Sequence, residues 1–462
     1  MSLGLEALAP CFQGIIPALF FTCAKDGTPN VAYLSHVDYV DAAHVALSFQ
    51  FFNKSRKNVA ENPHALVHVT DPDTQQGWSL RLKFVRSETE GAVFERMALR
   101  IEAIASYSGL KGIFKLLAAD IYEVTDVAPI AQEPGHLECG ATDRDRRAGA
   151  DAVFTMKALQ DVSQRINQAS CLDDLLDSIL ASIEESFGFS HSMILLAGEE
   201  PGVLVTIATR GYGGTGVGAE ARFGLGISGL VAEARKPIRI SGLLRGMLYA
   251  YAVKQRAEQA GLCPAHTTIE MPGLQNPSSQ LGVPLLVRGE LVGVLCIESE
   301  RPYRFHEEDK TSIELLGSYL AIAIQHMQES SESVTDSTSV GAGLVPAEPT
   351  TMPQQAVYEV TYYHTDETIL VDGDYLIRGL PAKILWKVLT LHAAEGRREF
   401  TNRELRLDKS LNLPGYKDNL ETRLLLLRRR LDQKLPGLRL VPSGRGRFAL
   451  QLAADVRLVE KE

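Results

Sequence analysis

The chain has no run of about 18 consecutive apolar residues, so no membrane-spanning helix is expected. Its opening residues, MSLGLEALAPCFQG, lack the basic stretch and apolar core of a secretory signal. Six cysteines fall without regular spacing over 462 residues. They suggest reduced thiols in a cytoplasmic protein and no disulfide framework. No Walker loop, zinc-finger spacing or Ser/His/Asp constellation can be assembled from the sequence. With 45% hydrophobic and 23% charged residues, the composition is ordinary for a globular protein and excludes wholesale disorder.

At this length one hydrophobic core is not enough, and about two to four domains are expected. The net charge of −10 is unevenly spread: residues 355–462 hold 19 Lys plus Arg against 15 Asp plus Glu, leaving the remainder at −14. A mildly basic C-terminal part on an acidic body is compatible with nucleic-acid contact.

The most informative stretch is 47–69, LSFQFFNKSRKNVAENPHALVHV. It reads as an apolar strand, a basic turn, a helix start closed by Asn62-Pro63, and a second apolar strand. Ser55, Arg56 and Lys57 place one hydroxyl and two cations within three residues, a set suited to a phosphate dianion. A solvated basic turn has the same spacing. The segment resembles the phosphate-gripping strand-turn-helix of the pyridoxamine-phosphate-oxidase-like, FMN-binding split barrels, which carry a Ser/Thr-x-Lys triplet and then Asn-Pro before the next strand. A hairpin at 17–37, turning at KDGTP, agrees with it, and the resemblance covers about residues 5–124. It implies FMN as cofactor, with Ser55, Arg56 and Lys57 on the phosphate and Ser35 and His36 near the ring. The oxidases of that family carry a basic residue in their second strand, and this chain has none near Ala32. The barrel is therefore expected over 1–131, and the polar stretch 132–150 reads as a linker.

Apolar residues recur at helical spacing through 154–187, and 190–197 and 203–209 are strand-like. Segments 224–242 (GLGISGLVAEARKPIRISG), 280–299 (QLGVPLLVRGELVGVLCIES) and the capped helix 304–327 resemble the glycine turn, closing hairpin and final helix of GAF domains. The resemblance implies a GAF domain over 151–328, with an unidentified small-molecule ligand between its sheet and a lid at 243–279. A helix is expected at 245–260 within that lid. Cys263 and His266 have Cys-x-x-His spacing, and Cys296 lies in the last strand; these are the only candidates for a softer metal or haem iron. They fall short of the four ligands of a zinc site. A packed thiol and a surface imidazole are the favoured reading, so no metal is assigned.

Residues 329–355 are rich in Ser, Thr, Pro and Gly and read as a flexible linker. Beyond it, 357–375 alternates as short strands, helices are expected from 380, from 401 with Thr401 and Glu404 as a capping box, and over 419–435, and a hairpin over 438–452. This order resembles the winged-helix effector domain of response regulators, over 356–462. In the third helix Leu420, Leu424, Leu427 and Leu431 share an inward face. Thr422, Leu425, Leu426 and Arg429 lie opposite. The resemblance implies DNA contact through Arg423, Arg428, Arg429, Arg430, Arg445 and Arg447. The two leucines depart from the usual polar reading face, and suit thymine methyl groups, a partner protein or a dimer surface.

The sequence thus reads as a multidomain α+β chain: split barrel, GAF α/β sandwich, winged helix. The expected function is a cytoplasmic sensor and transcriptional regulator, in which flavin redox state or a GAF ligand controls DNA binding. The alternative is a flavin-dependent oxidoreductase regulated by its other two domains. A homodimer through the barrel and the GAF helices is expected, with no membrane partner.

Overall fold

Alternating burial along short strands builds the N-terminal part of the computed structural model, which describes residues 4–12, 16–34, 36–49, 54–71, 76–107, 115–130, 151–169, 171–198, 200–213, 216–241, 269, 271–274, 277–301, 304–330, 357–411, 420–444 and 446–461. Strands β1 (Ala18–Cys23), β2 (Pro29–Leu34), β3 (Val37–Tyr39), β4 (His44–Phe49), β5 (His64–Thr70), β6 (Gly77–Glu88) and β7 (Ala118–Pro129) form one antiparallel sheet of order β2-β1-β5-β6-β7-β4-β3. Register shifts between β6 and β7 at Arg81/Leu82 and Phe84/Arg86 bend the long strands and help the sheet curl. Helix α1 (Lys54–Glu61) joins β4 to β5, and α2 (Ala92–Tyr107) joins β6 to β7. The core within this sheet includes Leu8, Phe20, Val45, Leu47, Val67, Leu80 and Leu82.

The second unit is a six-stranded antiparallel sheet of order β10-β9-β8-β13-β12-β11, made of β8 (His191–Ala197), β9 (Val203–Arg210), β10 (Glu220–Arg222), β11 (Ile238–Ser241), β12 (Ser279–Val287) and β13 (Glu290–Ser299). Helices α3 (Asp151–Gln168), α4 (Leu172–Phe187) and α6 (Glu307–Ser330) cover one face. The short helix α5 (Gly226–Ala234) covers the other. Close approach of α5 to β12 depends on Gly282, where a Cβ would sit 2.7 Å from Val231 Cγ2. The continuous helical pattern expected over 154–187 is two helices. Cys171 has an extended backbone (φ −148°, ψ 170°) before α4, and Asp173 and Asp174 lie in the first turn, where carboxylates favour a helix start. The helix expected at 245–260 lies outside the described residues.

The C-terminal unit has two small sheets. One has the order β16-β15-β14-β20, from β14 (Val357–Tyr363), β15 (Thr368–Val371), β16 (Asp374–Arg378) and β20 (Asp455–Lys461); β20 runs parallel to β14. The other joins β17 (Glu399–Thr401) to the hairpin β18 (Leu438–Gly444) and β19 (Arg447–Leu452). Between them lie α7 (Leu380–Glu395), α8 (Asn402–Leu407) and α9 (Leu420–Lys434). Thr401 caps α8 by accepting from the Glu404 N–H at 3.2 Å. The Glu404 carboxylate turns to Arg397 at 2.5 Å, so the reciprocal half of the expected capping box is not made. Buried residues of this unit and of α3, α4 and α6 form one continuous cluster. Among the described residues no helix is long and apolar enough to cross a membrane.

Candidate functional site

The basic triplet of the N-terminal sheet unit sits in the first turn of α1, not in a turn before it. Successive helical residues point about 100° apart, so the three side chains diverge. Ser55 is buried, and its hydroxyl accepts from Asn30 Nδ2 at 2.8 Å. Asn58 Nδ2 donates to Thr22 Oγ1 at 3.1 Å, so the same helix is pinned twice to the β1–β2 hairpin. Arg56 lies over the Phe49 ring, 4.1 Å from its centroid, and its charge acts on Asp120. Burial raises the Asp120 carboxyl above its ordinary range, opposed by the Ser87 hydroxyl and by Arg56. Lys57 is exposed. The first turn of α1 thus holds Lys54, Arg56 and Lys57 and no acidic residue, against the preference of a helix N-terminus for negative charge.

His36, expected near a flavin ring, is buried. Arg100 Nη1 lies 3.2 Å from its Nε2. An arginine only donates, so Nε2 accepts and the proton sits on Nδ1. That Nδ1 is buried with no partner among the described residues. Burial and the cations of Arg100 and Arg96 hold the imidazole well below its usual range, in the neutral form. Asp38 balances the group, 2.8 Å from Arg96 Nε and 3.9 Å from Arg100 Nη1. Ser35 lies outside the described residues. These arginines are on α2, which packs on α5 and β11, with Lys236 on Glu95 at 2.8 Å. Nearby Arg239 pairs with Glu307 at the start of α6, at 3.2 Å.

In the second unit the α5 face holds a buried carboxylate that the sequence reading missed. Glu298 on β13 accepts from Tyr212 Oη at 3.1 Å, the Leu274 N–H at 2.9 Å and Gln280 Nε2 at 2.6 Å. Burial raises its pKa, and the three donors oppose the rise. The only signal in the sequence is a glutamate that ends the apolar run 291–297 of β13. Cys296 is two residues earlier, packed with Met193, Val294 and Val231, and burial pushes its thiol far up. It is a core thiol. Cys263 and His266 lie outside the described residues, and among those described no group of three His, Cys, Asp or Glu side chains is placed to hold a metal.

In the C-terminal unit Leu420, Leu424, Leu427 and Leu431 are fully buried, as their spacing implies. The opposite face is buried too: Thr422, Leu425 and Leu426 are 7%, 2% and 9% exposed. They meet α4, α6 and β9 of the same chain. Gln328 Nε2 donates to Thr422 Oγ1 at 2.9 Å. Arg429 donates through Nε to Asp173 at 2.8 Å, through Nη1 to the Ile207 carbonyl at 3.2 Å and through Nη2 to Asp177 at 2.7 Å. Arg430 is buried and donates to the Leu376 carbonyl at 3.0 Å. Arg428 lies 3.9 Å from Glu421, and Arg423 is half-buried. Of the expected DNA-contacting arginines, Arg447 on the hairpin is exposed, and Arg445 lies outside the described residues.

Residues 169–325 match the GAF domain family model, so the second unit is a GAF domain. Such a domain marks a sensor or regulatory role. Among solved structures the chain is similar to the GAF domain of a phosphoenolpyruvate-protein phosphotransferase from Coxiella burnetii, with 24% identity and TM-score 0.32, covering 39% of this chain and 99% of that one. It is also similar to an FMN-binding protein from Syntrophomonas wolfei, with 16% identity and TM-score 0.23, covering 28% of this chain and 90% of that one. A third is the free methionine-R-sulfoxide reductase of Neisseria meningitidis, in complex with its substrate, with 18% identity and TM-score 0.31, covering 41% and 96%. No curated protein matches the chain.

Proposed function

We propose that the chain is a sensor-regulator in which the GAF domain and an FMN-type split barrel govern a winged-helix output that binds DNA. The observation that carries the reading is the seating of the C-terminal unit, with its three helices and basic hairpin, directly on the GAF helices. Arg447, on the exposed hairpin, is the side chain best placed to meet a phosphate without any rearrangement. A selection from random duplex DNA by the full-length chain tests this. Enrichment of a common sequence supports it, and recovery of no duplex at low salt, either by this chain or by a variant in which the Arg429 contacts to Asp173 and Asp177 are broken, removes it.

FMN is the proposed barrel cofactor, and two features fit it. The first turn of α1 concentrates three cations at a helix N-terminus, where a phosphate would reverse an unfavourable charge arrangement. The buried Nδ1–H of His36 has no acceptor among the described residues, a donor that the ring of a bound flavin could engage. Lys57 would bind the phosphate directly, while Ser55 positions the helix through Asn30. FMN would supply redox chemistry, and the barrel a phosphate grip and a buried polar wall. Among the described residues near α1 the carboxyl raised by burial, Asp120, is held by the Ser87 hydroxyl and by Arg56, and a sensing role is proposed ahead of turnover. A homodimer is proposed through the exposed Leu315, Tyr319 and Ile322, which recur at i, i+4 and i+7 on α6.

A further inference from the structure

The face of α9 that would reach a macromolecule is already occupied. Thr422, Leu425, Leu426 and Arg429 are pressed against the GAF domain, and every nitrogen of the Arg429 guanidinium has a partner there. Leu426 lies against Gly218, where an added Cβ would be 3.5 Å from Leu426 Cδ1 and 3.3 Å from Arg430 Cδ. A second ionic contact joins the units at their rim: Arg378 pairs with Glu220, Nε to Oε1 at 3.0 Å, and lies 3.7 Å from Glu200.

We propose that this contact is an autoinhibitory clamp: the GAF domain holds α9 through Asp173 and Asp177 on Arg429, and α9 meets another macromolecule only after the clamp opens. The rim is built to open. Asp173 and Asp177 side chains are 42% and 67% exposed while Arg429 is 15% exposed, so water reaches the acidic half and replaces the arginine at modest cost. The joint is also placed to receive a signal. One helix of 24 residues, α6, begins at Glu307 on Arg239 beside the barrel arginines and ends at Gln328 on Thr422. A shift of that rod at either end reaches both contacts.

The inference rests on α9 being part of the output, so the test separates the two ideas. In the full-length chain, Asp173→Lys with Asp177→Lys removes the clamp from the GAF side and leaves the α9 sequence intact. Amide hydrogen exchange of α9 is read by mass spectrometry. The expected result is exchange faster by about tenfold or more in α9, with Glu233→Lys on the exposed side of α5 leaving it unchanged. Adding Arg429→Glu to the double variant re-forms the pairs with reversed sign and brings α9 protection back towards wild type. This recovery distinguishes release of a clamp from damage to α4. Unchanged α9 protection in the double variant, or no recovery on charge reversal, overturns the clamp. Duplex binding is measured on the same samples. Faster α9 exchange without any duplex binding keeps the clamp and removes DNA as its competitor.

Discussion

Replacing Glu298 with alanine strips the acceptor from three donors at once, and the cost follows from where each donor lies. Gln280 is 1% exposed, so its amide loses a 2.6 Å bond where water does not replace it, at about 1–3 kcal/mol. Tyr212 and Leu274 are half-buried and turn to water, adding about 0.5 kcal/mol each. A total of about 2–4 kcal/mol is expected, which lowers the melting of a domain of this size by roughly 5–12 °C. The effect depends on pH. Burial raises the folded carboxyl above its ordinary 4.5, so between 4.5 and the raised value the folded chain holds a proton that the unfolded chain has released. Stability therefore falls as pH rises across that window, and is level above it. Glu298→Gln keeps the side-chain shape and removes the titration, so its slope in that window is flatter. Scanning calorimetry of the full chain from pH 4.5 to 8, resolving transitions of separate units, is the assay. A loss under about 1 kcal/mol in the alanine variant, or an unchanged slope in the glutamine variant, refutes the reasoning.

Other outcomes follow from the same geometry. Gly293→Ala places a Cβ 2.2 Å from the Leu195 carbonyl oxygen in the β13–β8 pair, and about 2–4 kcal/mol of GAF stability is lost; calorimetry shows a downshift of the same transition. Lys57→Ala removes one charge-assisted contact to a phosphate and weakens FMN binding by about ten- to a hundredfold, read by titration against flavin fluorescence. Equal affinity for FMN with and without its phosphate, as riboflavin, would contradict that assignment. Ile322→Glu places a charge in the exposed α6 stripe and shifts the chain to monomer in sedimentation velocity; a wild-type chain already monomeric at micromolar concentration rules the α6 dimer out.

Local patterning makes much of the chain legible in the sequence alone. The GAF segments are legible because the glycine turn at 224–229 and the closing hairpin resemble that family, and each is a short local stretch; the hairpin strands themselves are buried in continuous runs, not alternating. The inward leucines of α9 are equally plain from their spacing. What failed was non-local. The acidic partners of Arg429 lie some 250 residues earlier, at Asp173 and Asp177, so no window along the sequence links them. Strand β20 pairs in parallel with β14 at the opposite end of its unit, which periodicity cannot foretell. Ser55, Arg56 and Lys57 looked convergent as neighbours in a turn, and a helix fans them apart. Glu298 reads as the end of an apolar run until Gln280, Tyr212 and Leu274 are brought to it.

The proposed function requires that the C-terminal unit bind DNA once it is free of the GAF domain. The direct measurement is fluorescence anisotropy of a labelled random duplex, titrated with wild-type chain and with the Asp173→Lys, Asp177→Lys variant at about 50 and 200 mM salt. The expected result is weak binding by wild type and tighter binding by the variant, falling steeply between the two salt concentrations as phosphate contacts release counterions. No binding by either protein at the lower salt, with the variant shown by exchange to be undocked, contradicts it.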